Sequence, residues 1–138
     1  MSDLIEVKTA DLAGEALGWA VGIAEGLALM LVPPEYGNPW RVFARHQGQA
    51  TESTKRYNPW EDWALGGPLI ERIDPEERRL PNVLGRGRSA EVWIKYGNAD
   101  ARVGYGRGEN RLIAATRAIV AAKLGDAVNV PKELIHAD

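Results

Sequence analysis

Glycine stands at positions 14, 18, 22 and 26 within the largely apolar run that extends from Leu12 to Val32. In an α-helix each step of four residues adds about one turn and a small rotation, so the four glycines would form a ridge bare of side chains. Such a set costs about 3 kcal/mol relative to alanines, a large share of the stability of an ordinary domain. One arrangement that offsets this is a helix or sheet crossing the ridge closely, recovering dispersion contacts where side chains are missing. The crossing element then belongs to this chain or to a second copy. Alternatively Gly26 closes a shorter helix, and Leu27–Val32 runs extended. The longer reading predicts a helix from about Ala10 to Leu31, capped by Thr9 and stopped by Pro33-Pro34. Its apolar stripe would include Leu12, Ala16, Trp19, Ala20, Ile23, Leu27 and Met30.

The remaining chain alternates short strand patterns with one more long helical pattern. Ile5–Lys8 and Arg41–Arg45 read as strands, whereas His46–Arg56 is polar and aperiodic, predicting a mobile surface loop at 46–56. Asn58, Pro59 and Glu61 have the spacing of a capping box. Gly66-Gly67-Pro68 would stop the short aromatic-rich helix that follows. Asp74–Arg79 and the glycine-containing stretch to Ser89 read as loop. Ala90–Tyr96 and Ala101–Tyr105 alternate around the turn residues Gly97–Asp100, predicting a hairpin. Asn110 caps a second long helix with Leu112, Ile113, Ala115, Thr116, Ile119, Val120 and Leu124 on its apolar face, and Gly125 ends it. Asp126–Val130 is an extended link and Pro131–Ile135 a final turn. The expected class is α+β, with two main helices packed on a small antiparallel sheet and a short aromatic-rich helix, in one domain over residues 1–138.

The chain has no cysteine, which excludes disulfides, thiolate zinc sites and iron–sulfur ligation and fits a cytoplasmic protein. Glu25 interrupts the longest apolar run, and Met1–Lys8 lacks the basic start of a secretory signal, so no membrane association is expected. Charge is unevenly distributed: residues 1–77 sum to -7 and residues 78–123 to +7. That polarity can draw an acidic partner to the later half, hold two copies head to tail, or be matched within the fold.

The densest chemistry is Tyr57–Glu71, where Tyr57, Trp60, Asp62 and Trp63 form a candidate interaction surface for an unidentified protein partner or a second copy. Packing is the ordinary alternative for the tryptophans, and a backbone hydrogen bond for Asp62. Before the second long helix, Arg107, Gly108, Asn110 and Arg111 form a candidate anion site, because a helix N-terminus directs N–H groups at an anion. The segment lacks both the dinucleotide-binding glycine spacing and the lysine and hydroxyl of a phosphate loop, so a plain hairpin-to-helix connection also fits. The basic residues after Glu77, with Trp93, Tyr96 and Tyr105 among them, match the ingredients of nucleic-acid binding, although structural placement also explains the aromatics. His46 and His136 lie in no metal-ligand or catalytic pattern, and adjacent Glu61 and Asp62 diverge on a helix. No catalytic, metal or cofactor-binding residue is assigned.

Three blocks carry a family resemblance: Glu6–Gly26, Tyr57-Asn-Pro-Trp-Glu-Asp-Trp-Ala-Leu-Gly-Gly-Pro-Leu-Ile-Glu-Arg72, and Leu112–Asp126 followed by Val130-Pro131. In this order they resemble the small phage and prophage NinX-like proteins, a group built on a domain of unknown function. The resemblance implies a phage or prophage origin and expression inside a bacterial host, and it brings no reaction or catalytic residues. Trp19, Asp62, Trp63, Gly66, Gly67, Pro68 and Arg117 match the family pattern. Gly18 stands where the pattern has aspartate and Leu65 where it has glutamine, so a polar role at those two positions does not transfer.

Overall fold

A computed structural model of the chain describes residues 3–47, 52–80, 87–94 and 102–135. In order it contains β1 (Leu4–Lys8), α1 (Gly14–Ala24), β2 (Leu29–Val32), β3 (Arg41–Gln47), β4 (Glu52–Arg56), α2 (Trp63–Ile73), β5 (Glu76–Leu80), β6 (Gly87–Ile94), β7 (Arg102–Gly108), α3 (Arg111–Leu124) and β8 (Ala127–Pro131). Short 3-10 turns occupy Thr9–Asp11 and Lys132–Leu134. The strands form three antiparallel sheets, β1-β8, β2-β3-β4 and β5-β6-β7, giving an α+β fold. The turn expected at Gly97–Asp100, Tyr96 and His136 lie outside the described residues.

The centre of the molecule is α3, whose Ala114, Ala115, Ala118, Ile119, Val120 and Ala122 are buried. On one side it lies across β6 and β7; α1 packs elsewhere on the same helix. The helix approaches the sheet at backbone distance. A Cβ added to Gly104 would fall 2.2 Å from the Ala118 carbonyl oxygen, and one added to Gly106 2.2 Å from that of Ala114. The small faces of both elements thus permit a contact that larger side chains would hold apart. Asn110 begins α3 as expected, its Oδ1 accepting from the Ile113 N–H at 2.9 Å, and Gly125 ends it with φ +98°.

The glycine ridge resolves differently from the long-helix reading. The first long helix is α1 alone, because Gly26 adopts φ +74° and forms a Schellman end: its N–H donates to the Ile23 carbonyl and that of Leu27 to Gly22. Leu29–Val32 is therefore strand β2, and Thr9 caps nothing; its hydroxyl donates to the Gly125 carbonyl at 2.6 Å. Gly18 and Gly22 remain in the helix and are crossed closely from within the same chain. A Cβ on Gly18 would lie 2.4 Å from the Trp60 ring, and one on Gly22 2.6 Å from Leu29. That intramolecular cover leaves no bare ridge there for a second copy.

Three polar stretches also depart from expectation. The segment 46–56, read as a loop, places His46 and Gln47 in β3 and residues 52–56 in β4, with His46 opposite Ser53; residues 48–51 lie outside the described residues. Glu76–Leu80, also read as loop, is β5, an edge strand paired to β6. The short helix starts at Asp62 rather than Asn58: the Ala64 N–H donates to Asp62 Oδ1 at 2.9 Å. Asn58 instead closes the preceding turn, its carbonyl accepting from Glu61 and Asp62. Gly66-Gly67-Pro68 does not stop α2, which continues to Ile73. Pro68 and Ala64 are exposed, so solvent can replace the missing donor to the Ala64 carbonyl. Gly66 sits where a Cβ would be 2.4 Å from the Pro59 carbonyl oxygen. Of the expected aromatic cluster only Trp63 belongs to α2.

Candidate recognition surface

The sheet β5-β6-β7 has one closed and one open face. Ala90, Val92, Gly104 and Gly106 are buried toward α3. Because side chains alternate along a strand, the intervening residues point the other way. Register arranges them in rows across the three strands: Arg78, Ser89 and Arg107; then Glu76, Glu91 and Tyr105; then Trp93 beside Val103. Tyr105 is 68% exposed and Trp93 58%. A pocket of ≈ 280 Å³ lies on this face between Arg78, Ser89, Glu91, Tyr105 and Arg107.

A second hollow of ≈ 70 Å³ is lined by Glu77, Arg78, Arg79, Arg88, Ser89 and Arg111; register places Glu77, Arg79 and Arg88 in line with Ala90 and Gly108, on the α3 side of the sheet. Arg111 links this end to α2. Its guanidinium holds the Glu77 carboxylate through Nε and Nη2, both at 3.0 Å, and lies 5.1 Å from the ring centroid of Trp63. The hydrogen bonds that Arg111 donates to Glu77, then the Glu77 charge, raise the Arg111 pKa above its ordinary value. Trp63 itself is 50% exposed. The aromatic motif and the basic segment therefore meet through Trp63 and Arg111, beside Glu77 on the α3 side of the sheet, whereas Tyr105 and Trp93 stand on its other face.

The other residues singled out in the sequence have structural places. Tyr57 and Trp60 are buried, which removes them from a contact surface. Burial, reinforced by the nearby Glu25 charge and partly opposed by Arg72, pushes the Tyr57 phenol up to about 12. Asp62 is spent on capping α2 and Asn110 on capping α3. Gly108 is a packing glycine, since a Cβ there would lie 2.5 Å from Ile113. Arg107 is exposed, and its carbonyl accepts from Arg117 Nη1 at 2.7 Å; Arg117 Nε also donates to the Leu12 carbonyl at 2.9 Å. These four residues thus form no ready anion pocket at the α3 N-terminus: the cap is made by Asn110, and Arg111 already holds Glu77.

A buried ionic group ties the helices together away from this surface. Glu25 accepts from Lys123 at 2.8 Å and pairs with Arg72. Burial disfavours its charge, but the hydrogen bonds and charges of Lys123 and Arg72 outweigh that and hold its carboxyl below the usual range. A larger cleft, ≈ 700 Å³, is elsewhere, with Pro34, Pro39, Trp40, Leu134 and Ile135 among its walls. Of its polar groups, Glu15 is engaged by the Val42 N–H and Arg56, and Lys132 pairs with Asp3. Among the described residues no group of three or more His, Cys, Asp or Glu side chains could hold a metal ion, and no helix is long and apolar enough to cross a membrane.

The sequence matches the family described as bacteriophage P22 NinX over residues 8–123. The chain belongs to this family. Comparison with curated proteins gives no match. In this NinX-family chain the matched span contains Trp63, Trp93, Tyr105 and Arg111. Sequence reasoning had named all four without joining Arg111 to Trp63, and it counted Arg78 and Arg79 among the basic residues after Glu77 without placing them on a strand, because β5 carries no apolar alternation to reveal it.

Proposed function

We propose that this chain is a non-enzymatic phage or prophage accessory protein, acting in the host cytoplasm as one unit over residues 1–138. Its work is to hold a macromolecular partner against the open face of β5-β6-β7. The observation that carries this reading is the exposure of Trp93 and Tyr105, beside Arg78 and Arg107, on one face of the sheet while the opposite face is closed by α3. Tryptophan, tyrosine and arginine supply large, orientable contact area and dominate interface energetics. Two such aromatics left more than half exposed side by side on one face, in a chain that buries Tyr57 and Trp60, need a reason beyond packing.

The test is affinity capture from host cells carrying the phage genes, comparing the natural chain with a Trp93→Ala, Tyr105→Ala variant. The reading expects a reproducible partner that the variant loses while its thermal melting stays within a few degrees. Undiminished capture by the variant, or turnover of a metabolite by the natural chain, would contradict it.

A further inference from the structure

We infer that the open face of β5-β6-β7 is a contact between two copies of this chain, laid face to face about a two-fold axis between Ser89 and Glu91; this rests on the recognition-surface reading above. Register arranges the face in rows that follow one another along β6. Leu80 and Gly87 form the first, Arg78, Ser89 and Arg107 the second, Glu76, Glu91 and Tyr105 the third, and Trp93 with Val103 the fourth. Charge in these rows is balanced, Arg78 and Arg107 against Glu76 and Glu91, and it lies in adjacent stripes of opposite sign. A balanced face gives a highly charged ligand no advantage. It fits a partner that presents the same two stripes in reverse order, and a second copy turned over by a two-fold rotation does so.

An axis parallel to the rows and midway between the second and third lays each basic row on the partner's acidic row. Arg107, which has no salt-bridge partner among the described residues, then meets the ring of the partner's Tyr105, a cation–π pairing. Arg78 bonds Glu76 at 3.2 Å within one copy, both side chains more than half exposed. The second copy closes this pair into a ring of four alternating charges with the partner's Arg78 and the partner's Glu76. The same rotation carries Trp93 over the partner's Gly87, where the missing side chain leaves room for an indole, with the partner's Leu80 beside it. Other placements fail. An axis along the second row sets arginine on arginine, one along the third sets glutamate on glutamate, and an axis parallel to the strands does both; like charges juxtaposed across an interface oppose binding. An axis between the third and fourth rows buries the glutamates against Trp93 with no cation opposite.

Sedimentation velocity on the full chain at rising concentration tests the inference. A three-stranded face is well below the roughly 800 Å² per partner of a standard interface, so the dimer should appear from about 10 µM upward and dissociate on dilution. Added salt should weaken it. Arg78→Glu with Arg107→Glu, or Glu76→Arg with Glu91→Arg, should each abolish self-association. Mixed in equal amounts, these two variants should form a heterodimer at least as tight as the natural dimer, a rescue that a merely structural role would not give. Trp93→Ala should weaken both the natural dimer and this heterodimer about tenfold, which separates seated faces from bulk charge attraction, while Trp40→Ala in the separate cleft should change neither. A chain that stays monomeric up to about 500 µM, self-association that survives either charge reversal, absence of rescue in the mixture, or a dimer indifferent to Trp93→Ala would each overturn the inference. If the chain is monomeric but the Trp93→Ala, Tyr105→Ala variant loses a captured protein, this inference fails and the recognition surface stands; if that capture is also unaffected, both fail.

Discussion

Replacing Gly106 with alanine probes the close approach of α3 to β7. The new Cβ would stand 2.2 Å from the Ala114 carbonyl oxygen and 2.4 Å from the Ala118 nitrogen. Both are backbone atoms of one helix, so no side chain can swing away; α3 must lift from β7 by about 1 Å. A gap of that size forfeits a quarter to a half of each dispersion contact along the interface, and overpacking costs typically about 1–3 kcal/mol. With backbone on both sides the upper end applies, about 3 kcal/mol. At about 4 °C per kcal/mol for a chain of this size, the midpoint should fall by about 12 °C. Gly67→Ala is the matched control. Its Cβ would meet only the Trp63 ring at an ordinary 3.6 Å, and it should gain about 0.5–1 kcal/mol from helix propensity and a less flexible unfolded chain. Calorimetry or circular dichroism melts read both. A Gly106→Ala protein melting within about 2 °C of the natural chain would refute the backbone approach of α3 to the sheet.

Other substitutions follow from specific partners. Asp62→Ala removes the side-chain acceptor for the Ala64 N–H and should cost about 1 kcal/mol in thermal melts; a neutral result would place the start of α2 elsewhere. Glu25 has a folded pKa below its unfolded value, so its contribution is present above the ordinary carboxylate pKa of about 4.3 and is lost as pH falls through the lower folded value. Glu25→Gln should therefore lower stability at neutral pH and flatten its decline below about pH 4.3; an unchanged acid profile would show that the Lys123 and Arg72 partnership is not formed. Tyr57, with its phenol raised to about 12, should give an ionisation step near pH 12 in an ultraviolet titration, and a Tyr57→Phe variant that keeps this step would disprove the assignment.

Local signals that depend on one element were legible in the sequence. Asn110 and Gly125 bracket α3 as their cap chemistry dictates, and the alternation from Ala90 located the strand that became β6. Signals that depend on tertiary cover were not. Leu27–Val32 is apolar enough to continue a helix or form a strand, and only the left-handed backbone at Gly26 decides between them. β4 and β5 are edge strands of polar sequence with no buried stripe to announce them. Pro68 looks like a helix stop until Ala64 and Pro68 are placed on an exposed face. The site follows the same logic. Trp63 and Arg111 were both noticed, but their stacking requires α2 and α3 to meet. The facing of Arg79 and Arg88 could not be seen while β5 read as loop.

The central claim is that the open face of β5-β6-β7, rather than the larger Trp40 cleft, meets the partner. Hydroxyl-radical footprinting by mass spectrometry, comparing the free chain with the captured complex, measures this side chain by side chain. Trp93 and Tyr105 should become protected while Trp40 keeps its free-state reactivity. Protection of Trp40 with Trp93 and Tyr105 unchanged would contradict the account.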